Sequence, residues 1–110
     1  MNGLRIGTLN VRGLKTEIKL NNIAADMESF KIDALAVQET HMVGSGVLST
    51  TTNGKKFHLF YGGITEEDRS GTGGVGIMVR DGIKAEFKEV SDRICMLTMF
   101  ASSEQRRPPR

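Results

Sequence analysis

"SGTGGVGIMV", residues 70–79, decides between two architectures. Its Gly71, Gly73 and Gly76 have the spacing G-x-G-x-x-G, shared by the phosphate turn of dinucleotide-binding domains and by the glycine loop over ATP in kinases. A dinucleotide turn needs a strand before the glycines and a helix after them, because the pyrophosphate rests on that helix's N-terminus. Here the polar run "GGITEEDRSGTGG" comes before, and "VGIMV", rich in β-branched residues and closed by "RDG", comes after. The spacing therefore predicts a strand where the fingerprint requires a helix. No G-K-[ST] follows, which removes a Walker loop, and no Val-Ala-x-Lys strand follows, which removes a kinase loop. The glycines read as an approach to a strand at a point of close packing.

Working outward, "LRIGTLNV" (residues 4–11) alternates Leu4, Ile6, Thr8 and Asn10 against Arg5, Gly7, Leu9 and Val11, which predicts a strand covered on both faces. Thr16 is placed to cap a helix running to Phe30, with Leu20, Ile23, Ala24, Met27 and Phe30 at helical spacing and Glu17 at the positive end of the dipole. "DALAVQET" then predicts a short buried strand over residues 34–37, followed by polar Gln38, Glu39 and Thr40. Strand, helix and strand within this length make a βαβ unit with parallel strands. The small, polar run "MVGSGVLSTTTNG" (residues 42–54) reads as a loop and "KFHLFY" (residues 56–61) as the next strand. "IKAEFKEV" and "DRICMLTM" alternate again over residues 83–90 and 92–99, so the fold class is α/β: one βαβ unit followed by an antiparallel meander.

Composition bounds what such a fold can do. A chain of 110 residues is one domain or part of one, and 38% apolar with 5% aromatic and no tryptophan means an aliphatic core. There is no apolar run long enough for a membrane span and no secretory signal pattern at the N-terminus, so an intracellular protein of nucleus or cytoplasm, not secreted, is expected. The single Cys95 has no internal disulfide partner and reads as a small core residue. Residues 1–99 carry 12 Lys+Arg and 12 Asp+Glu, so the net charge of +2 arises in residues 100–110. The body by itself gives no electrostatic argument for a polyanion partner.

Asn10 ends the first strand and Glu39 follows the second, and sites in open parallel units are built at the carboxyl ends of neighbouring strands. A carboxamide and a carboxylate converging there suit a hard cation such as Mg²⁺, which takes few protein ligands and completes its shell with water and phosphate oxygens. A glutamate after a buried strand serves equally well as a helix cap or a solvated loop residue. Tyr61, the only tyrosine, reads as a packing residue at a strand end.

"LRIGTLNVRGL", "DALAVQETHM" and "GTGGVGIMV", in this order, resemble the N-terminal half of the endonuclease/exonuclease/phosphatase superfamily, the metal-dependent phosphodiesterases that include deoxyribonuclease I. The chain looks most like the endonuclease domains of LINE-type non-LTR retrotransposons and their craniofacial-development-protein-like relatives. The resemblance implies the N-terminal half of a two-sheet α/β sandwich over residues 1–99, with residues 100–110 a disordered basic, proline-containing tail. It implies Mg²⁺, or Mn²⁺, at Glu39 and Asn10, both counted as catalytic, with DNA contacts from Arg12 and His41 and DNA as the partner. The glycines before "VGIMV" are structural in that likeness.

Phosphodiester hydrolysis also needs a base for the attacking water and a partner that orients the base. The family supplies these from downstream Asp-x-Asn and Ser-Asp-His boxes, which do not occur among these 110 residues. Two function classes are therefore expected: a truncated Mg²⁺-dependent endonuclease-like domain, inactive alone, or a non-catalytic, retroelement-derived fragment or interaction module. Either half-sandwich is expected to expose an apolar sheet face and to self-associate.

Overall fold

The computed structural model describes residues 3–14, 16–64, 73–91 and 94–100. Strand β1 (Ile6–Asn10), helix α1 (Glu17–Phe30) and strand β2 (Ala34–Gln38) form the expected βαβ unit, with β1 and β2 parallel from the pair Ile6 and Ala34 to the pair Asn10 and Gln38. Strands β3 (Gly44–Thr52), β4 (Lys55–Ile64) and β5 (Val75–Arg80) complete a five-stranded sheet in the order β1-β2-β5-β4-β3. "VGIMV" is thus the central strand, antiparallel to both neighbours. Strands β6 (Lys84–Glu89) and β7 (Cys95–Phe100) form a separate antiparallel hairpin. The meander therefore leaves the first sheet after β5, and the Phe60–Phe87 ring stack, centroids 5.7 Å apart, joins the two layers. The mixed α/β architecture is consistent with the expected deoxyribonuclease I-like fold.

Helix α1 begins where Thr16, extended at φ −112° and ψ 144°, accepts the Lys19 N–H at 3.2 Å with its hydroxyl oxygen. It ends at Lys31 in the left-handed region (φ 57°), with Ile32 N donating to Met27 O at 2.8 Å. Leu20, Ile23, Ala24 and Met27 bury against Leu35, Val37, Phe57, Leu59 and Met78, residues of β2, β4 and β5 that share one face. Phe30, expected on that face, is instead 65% exposed. It is the last residue of α1, and on a wheel of about 100° per residue it falls about 20° beyond Ile23, at the margin of the stripe the sheet covers.

Three further expectations are corrected. Residues 42–54 are mostly not a loop: β3 runs through them, paired with β4 from Gly46 and Tyr61 to Thr52 and Lys55 and turned by Asn53 (φ 49°) and Gly54 (φ 74°). Two consecutive positive φ values make the turn whose twist suits a hairpin. β1 is not covered on both faces: it is an edge strand, with Ile6 64% and Leu9 42% exposed. Cys95 is half-buried on β7 rather than in the core, and this partial burial raises its thiol pKa. Tyr61 does pack against the core, although its strand continues to Ile64. β7 includes Phe100, while the expected tail at residues 101–110 lies outside the described residues.

At the end of the sheet where β5 finishes, two polar clusters hold the strands. Asp33 Oδ1 accepts from Arg80 Nε at 2.9 Å and Nη2 at 2.7 Å, while its Oδ2 accepts from Arg5 N at 2.9 Å. Beside it His58 bridges Ser49 Oγ (2.7 Å to Nδ1) and Asp81 Oδ1 (2.8 Å to Nε2), linking β3, β4 and the turn after β5. With Asp81 ionised, Nε2 donates to it, and in the neutral ring Nδ1 accepts the Ser49 hydroxyl proton. The His58 hydrogen bond draws the Asp81 carboxyl below its ordinary value of 3.8.

Two predictions follow from this packing. Phe57→Ala, at a residue with no exposure, should cost about 3–5 kcal/mol in denaturant unfolding, whereas exposed Phe30→Ala should stay within about 1 kcal/mol of the parent. Because Asp81 binds its proton less tightly folded than unfolded, its contribution is present above 3.8 and lost as pH falls through the lowered folded value. The unfolding midpoints of the parent and Asp81→Asn should therefore differ at about pH 5 and converge towards about pH 2.

Candidate functional site

The parallel ladder between β1 and β2 does not stop where the strands do. Val11 N donates to Gln38 O at 3.0 Å, Gly13 N to Glu39 O at 2.6 Å, and Leu14 N to Thr40 O at 2.8 Å. From the other side, Thr40 N donates to Gly74 O at 3.3 Å and His41 N to Gly73 O at 2.9 Å, just before β5. Holding this double lacing requires Arg12 (φ 53°), Glu39 (φ 57°) and His41 (φ 58°) in the left-handed region, three of the five described non-glycine residues there. Such conformations cost of order 1 kcal/mol each, persist only where their surroundings enforce them, and concentrate at functional sites.

The lacing brings together the four residues singled out from the sequence. Asn10 Nδ2 donates to Glu39 Oε2 at 2.5 Å, and Asn10 Oδ1 accepts from Arg12 N at 3.2 Å. His41 Nε2 lies 3.8 Å from Glu39 Oε1, too far for a hydrogen bond, and is buried with no hydrogen-bond partner among the described residues. The Glu39 side chain keeps 46% of its surface exposed. Arg12 is exposed on the turn between them.

A hard cation fits this donor set. The site offers a carboxylate and a carboxamide, both oxygen ligands, and the exposure of Glu39 leaves room for the water and phosphate oxygens that complete a magnesium shell. An ion would compete with Asn10 for Glu39 Oε2, and rotation of the Asn10 amide would present its oxygen instead.

Sequence reading missed three supports. Lys19 Nζ donates to Val11 O at 2.5 Å and lies 3.5 Å from Arg12 O, so the first turn of α1 places a cation against the site's backbone. Thr40 is fully buried, and its hydroxyl oxygen accepts from Met42 N at 3.4 Å. Gly74 (φ 91°) lets β5 approach, since a Cβ there would overlap Thr40 Oγ1 and reach within 3.3 Å of His41 N. Gly76 is needed as well, with a Cβ falling 2.8 Å from Phe60 O, whereas Gly71 lies outside the described residues. The only advance signal for Gly74 was the glycine cluster itself.

Alongside the cluster, an open cleft of about 560 Å³ runs between the start of α1 and β3, with His41 in its wall. Its remaining lining is mainly carbon from Leu20, Met42 and Leu48, with Thr16 and Glu17 contributing polar groups.

The site's dependence on Gly74 is testable. Gly74→Ala should lower stability by about 1–3 kcal/mol and speed amide exchange at Thr40 and His41. Adding Thr40→Ala should recover only the part due to the hydroxyl clash, because the φ strain at residue 74 remains.

No curated protein matches the chain. The sequence pattern of the endonuclease/exonuclease/phosphatase family matches residues 7–102, and this family is generally metal-dependent. The matched range spans most of β1, all of α1 and β2, and strands of both sheets. The chain belongs to the endonuclease/exonuclease/phosphatase family, as a phosphodiesterase- or nuclease-like domain.

Proposed function

We propose that these residues form the metal- and phosphate-binding part of a Mg²⁺-dependent endonuclease domain acting on DNA phosphodiester bonds, of the kind carried by LINE-type retrotransposons. The observation that carries this reading is the convergence of Asn10 and Glu39 at 2.5 Å, at the carboxyl ends of two parallel strands, with His41 beside them. Mg²⁺, or Mn²⁺ in its place, would supply neutralisation of the charge that builds on the phosphate. Glu39 would hold the ion, and Asn10 would orient Glu39 or share in holding it. Arg12 and His41 offer donors to the phosphate backbone, which positions a nucleic acid without reading its sequence.

A second reading is a binding module without catalysis. It rests on the composition of the cluster, in which Glu39 is, among the described residues, the one carboxylate beside Asn10, Arg12 and His41.

Incubation with supercoiled plasmid separates the two. Nicking that requires Mg²⁺ and disappears in Glu39→Ala is expected if the domain is catalytic. Mn²⁺ broadening of the Asn10 and Glu39 NMR signals without nicking is expected for the binding module. Absence of both, with the parent folded, overturns the proposal.

A further inference from the structure

We propose that His41 Nε2 and Glu39 Oε1 together bind one first-row divalent transition ion, so that His41 is a ligand and the site prefers Mn²⁺ and the later members of that series to Mg²⁺. This inference rests on the metal-binding part of the reading above, and adds to it a nitrogen ligand and a choice of ion.

His41 Nε2 is, among the described residues, the one buried side-chain nitrogen or oxygen without a hydrogen-bond partner. A buried polar atom left unpaired costs free energy, a penalty that a ligand at this atom removes. Two ligands each about 2.1 Å from one ion stand about 3.0 Å apart in an octahedral shell, about 3.4 Å apart in a tetrahedral one, and never more than about 4.2 Å apart. His41 Nε2 and Glu39 Oε1, at 3.8 Å, are inside that limit and reach a regular shell by a carboxylate shift of about 0.4–0.8 Å. Glu39, with 46% of its side chain exposed, has room to make this shift. Oε1 is also the oxygen that Asn10 leaves open, since Asn10 Nδ2 donates to Oε2. An ion at Oε1 keeps that hydrogen bond, whereas an ion at Oε2 displaces it.

The backbone holds the ring in place for this role. His41 is left-handed (φ 58°), and its N–H donates to Gly73 O at 2.9 Å. Gly13 lies so close to the imidazole that a Cβ there would stand 3.1 Å from Nδ1. A ligand fixed before the ion arrives loses little freedom on binding it. Mg²⁺ takes hard oxygen ligands and keeps much of its water, whereas imidazole suits the transition ions, with affinity rising from Mn²⁺ to Co²⁺. One imidazole nitrogen beside one carboxylate oxygen therefore moves the preference away from Mg²⁺. With Nε2 on the ion, Nδ1 carries the ring proton and remains a donor for phosphate. The other histidine has no such capacity, because both His58 nitrogens are engaged, with Ser49 and Asp81.

The test is Mn²⁺ binding to the full chain followed by electron spin resonance, with Mg²⁺ and Co²⁺ as competitors. The parent should show Mn²⁺ coupled to a directly bound nitrogen, displaced by Mg²⁺ only at about tenfold excess or more and by Co²⁺ at less than equal concentration. His41→Gln should abolish the nitrogen coupling and bring Mn²⁺ and Mg²⁺ within about threefold of each other. A readout that needs no variant comes from Zn²⁺, which should move the NMR signal of His41 Nε2 in the parent and leave both His58 nitrogens in place. Nitrogen-coupled Mn²⁺ without plasmid nicking upholds this proposal while the catalytic reading fails. Mn²⁺ that broadens Asn10 and Glu39 with no nitrogen coupling, or Mg²⁺ that binds as tightly as Mn²⁺, overturns the proposal and leaves Glu39 as a ligand for a hard cation. Binding of none of these ions overturns both.

Discussion

The hydrogen bonds that run on past the ends of β1 and β2 constrain everything around the site. Because Val11, Gly13 and Leu14 continue to pair with Gln38, Glu39 and Thr40, neither segment can turn away as a loop ordinarily would. The backbone is driven left-handed at Arg12, Glu39 and His41, and β5 must approach closely enough for Gly73 and Gly74 to pair with the same segment. Bulk is excluded at residue 74 for this reason, and the buried hydroxyl of Thr40 occupies the space a side chain would need. The geometry of Asn10 and Glu39 is a result of backbone pairing, with their own hydrogen bond acting on top of it.

The two ends of the sheet are stabilised differently. Where β5 finishes, the Asp33–Arg80 pair and the Ser49–His58–Asp81 chain tie strands together through side chains, with both Asp33 carboxylate oxygens and both His58 ring nitrogens hydrogen-bonded. Where β1 and β2 finish, the tie is made by main chain, and the side chains are left with capacity to spare: a half-exposed carboxylate and an imidazole nitrogen without a partner among the described residues. Unused hydrogen-bonding capacity beside strained backbone is how a ligand site differs from a structural clasp.

How much was legible in the sequence follows from the range of the interactions involved. The βαβ unit was legible because periodicity and the Thr16 cap are local, and α1 starts where the cap placed it. Asn10 and Glu39 were legible because each directly follows a run of strand-forming residues. β3 was missed because its apolar side chains, Val47 and Leu48, are adjacent rather than alternating and stand among glycine, serine and threonine. The Asn53-Gly54 pair ahead of "KKFHLF" was the available signal, since that dipeptide marks a two-residue hairpin turn, which requires a strand on its near side. Lys19 and Thr40 could not be read locally, because their roles depend on segments brought close only by the crossover. The edge position of β1 likewise depends on β5 inserting between β2 and β4, a pairing that strand order along the chain does not disclose.

The placement of Asn10 on that edge strand has a dynamic consequence. β1 is held by one neighbour, and its side chains are largely exposed, while β2 lies between two partners. Opening free energies vary across a fold, and segments with few buried contacts open well before the whole. β1 can therefore fray from Ile6 inward while the sheet from β2 to β3 stays intact, until the opening reaches Val11 and Leu14, which are buried just past Asn10. The Asn10–Glu39 pair thus sits at the anchored end of the strand, and a global melting curve would overstate the stability of the Ile6 end rather than that of the pair.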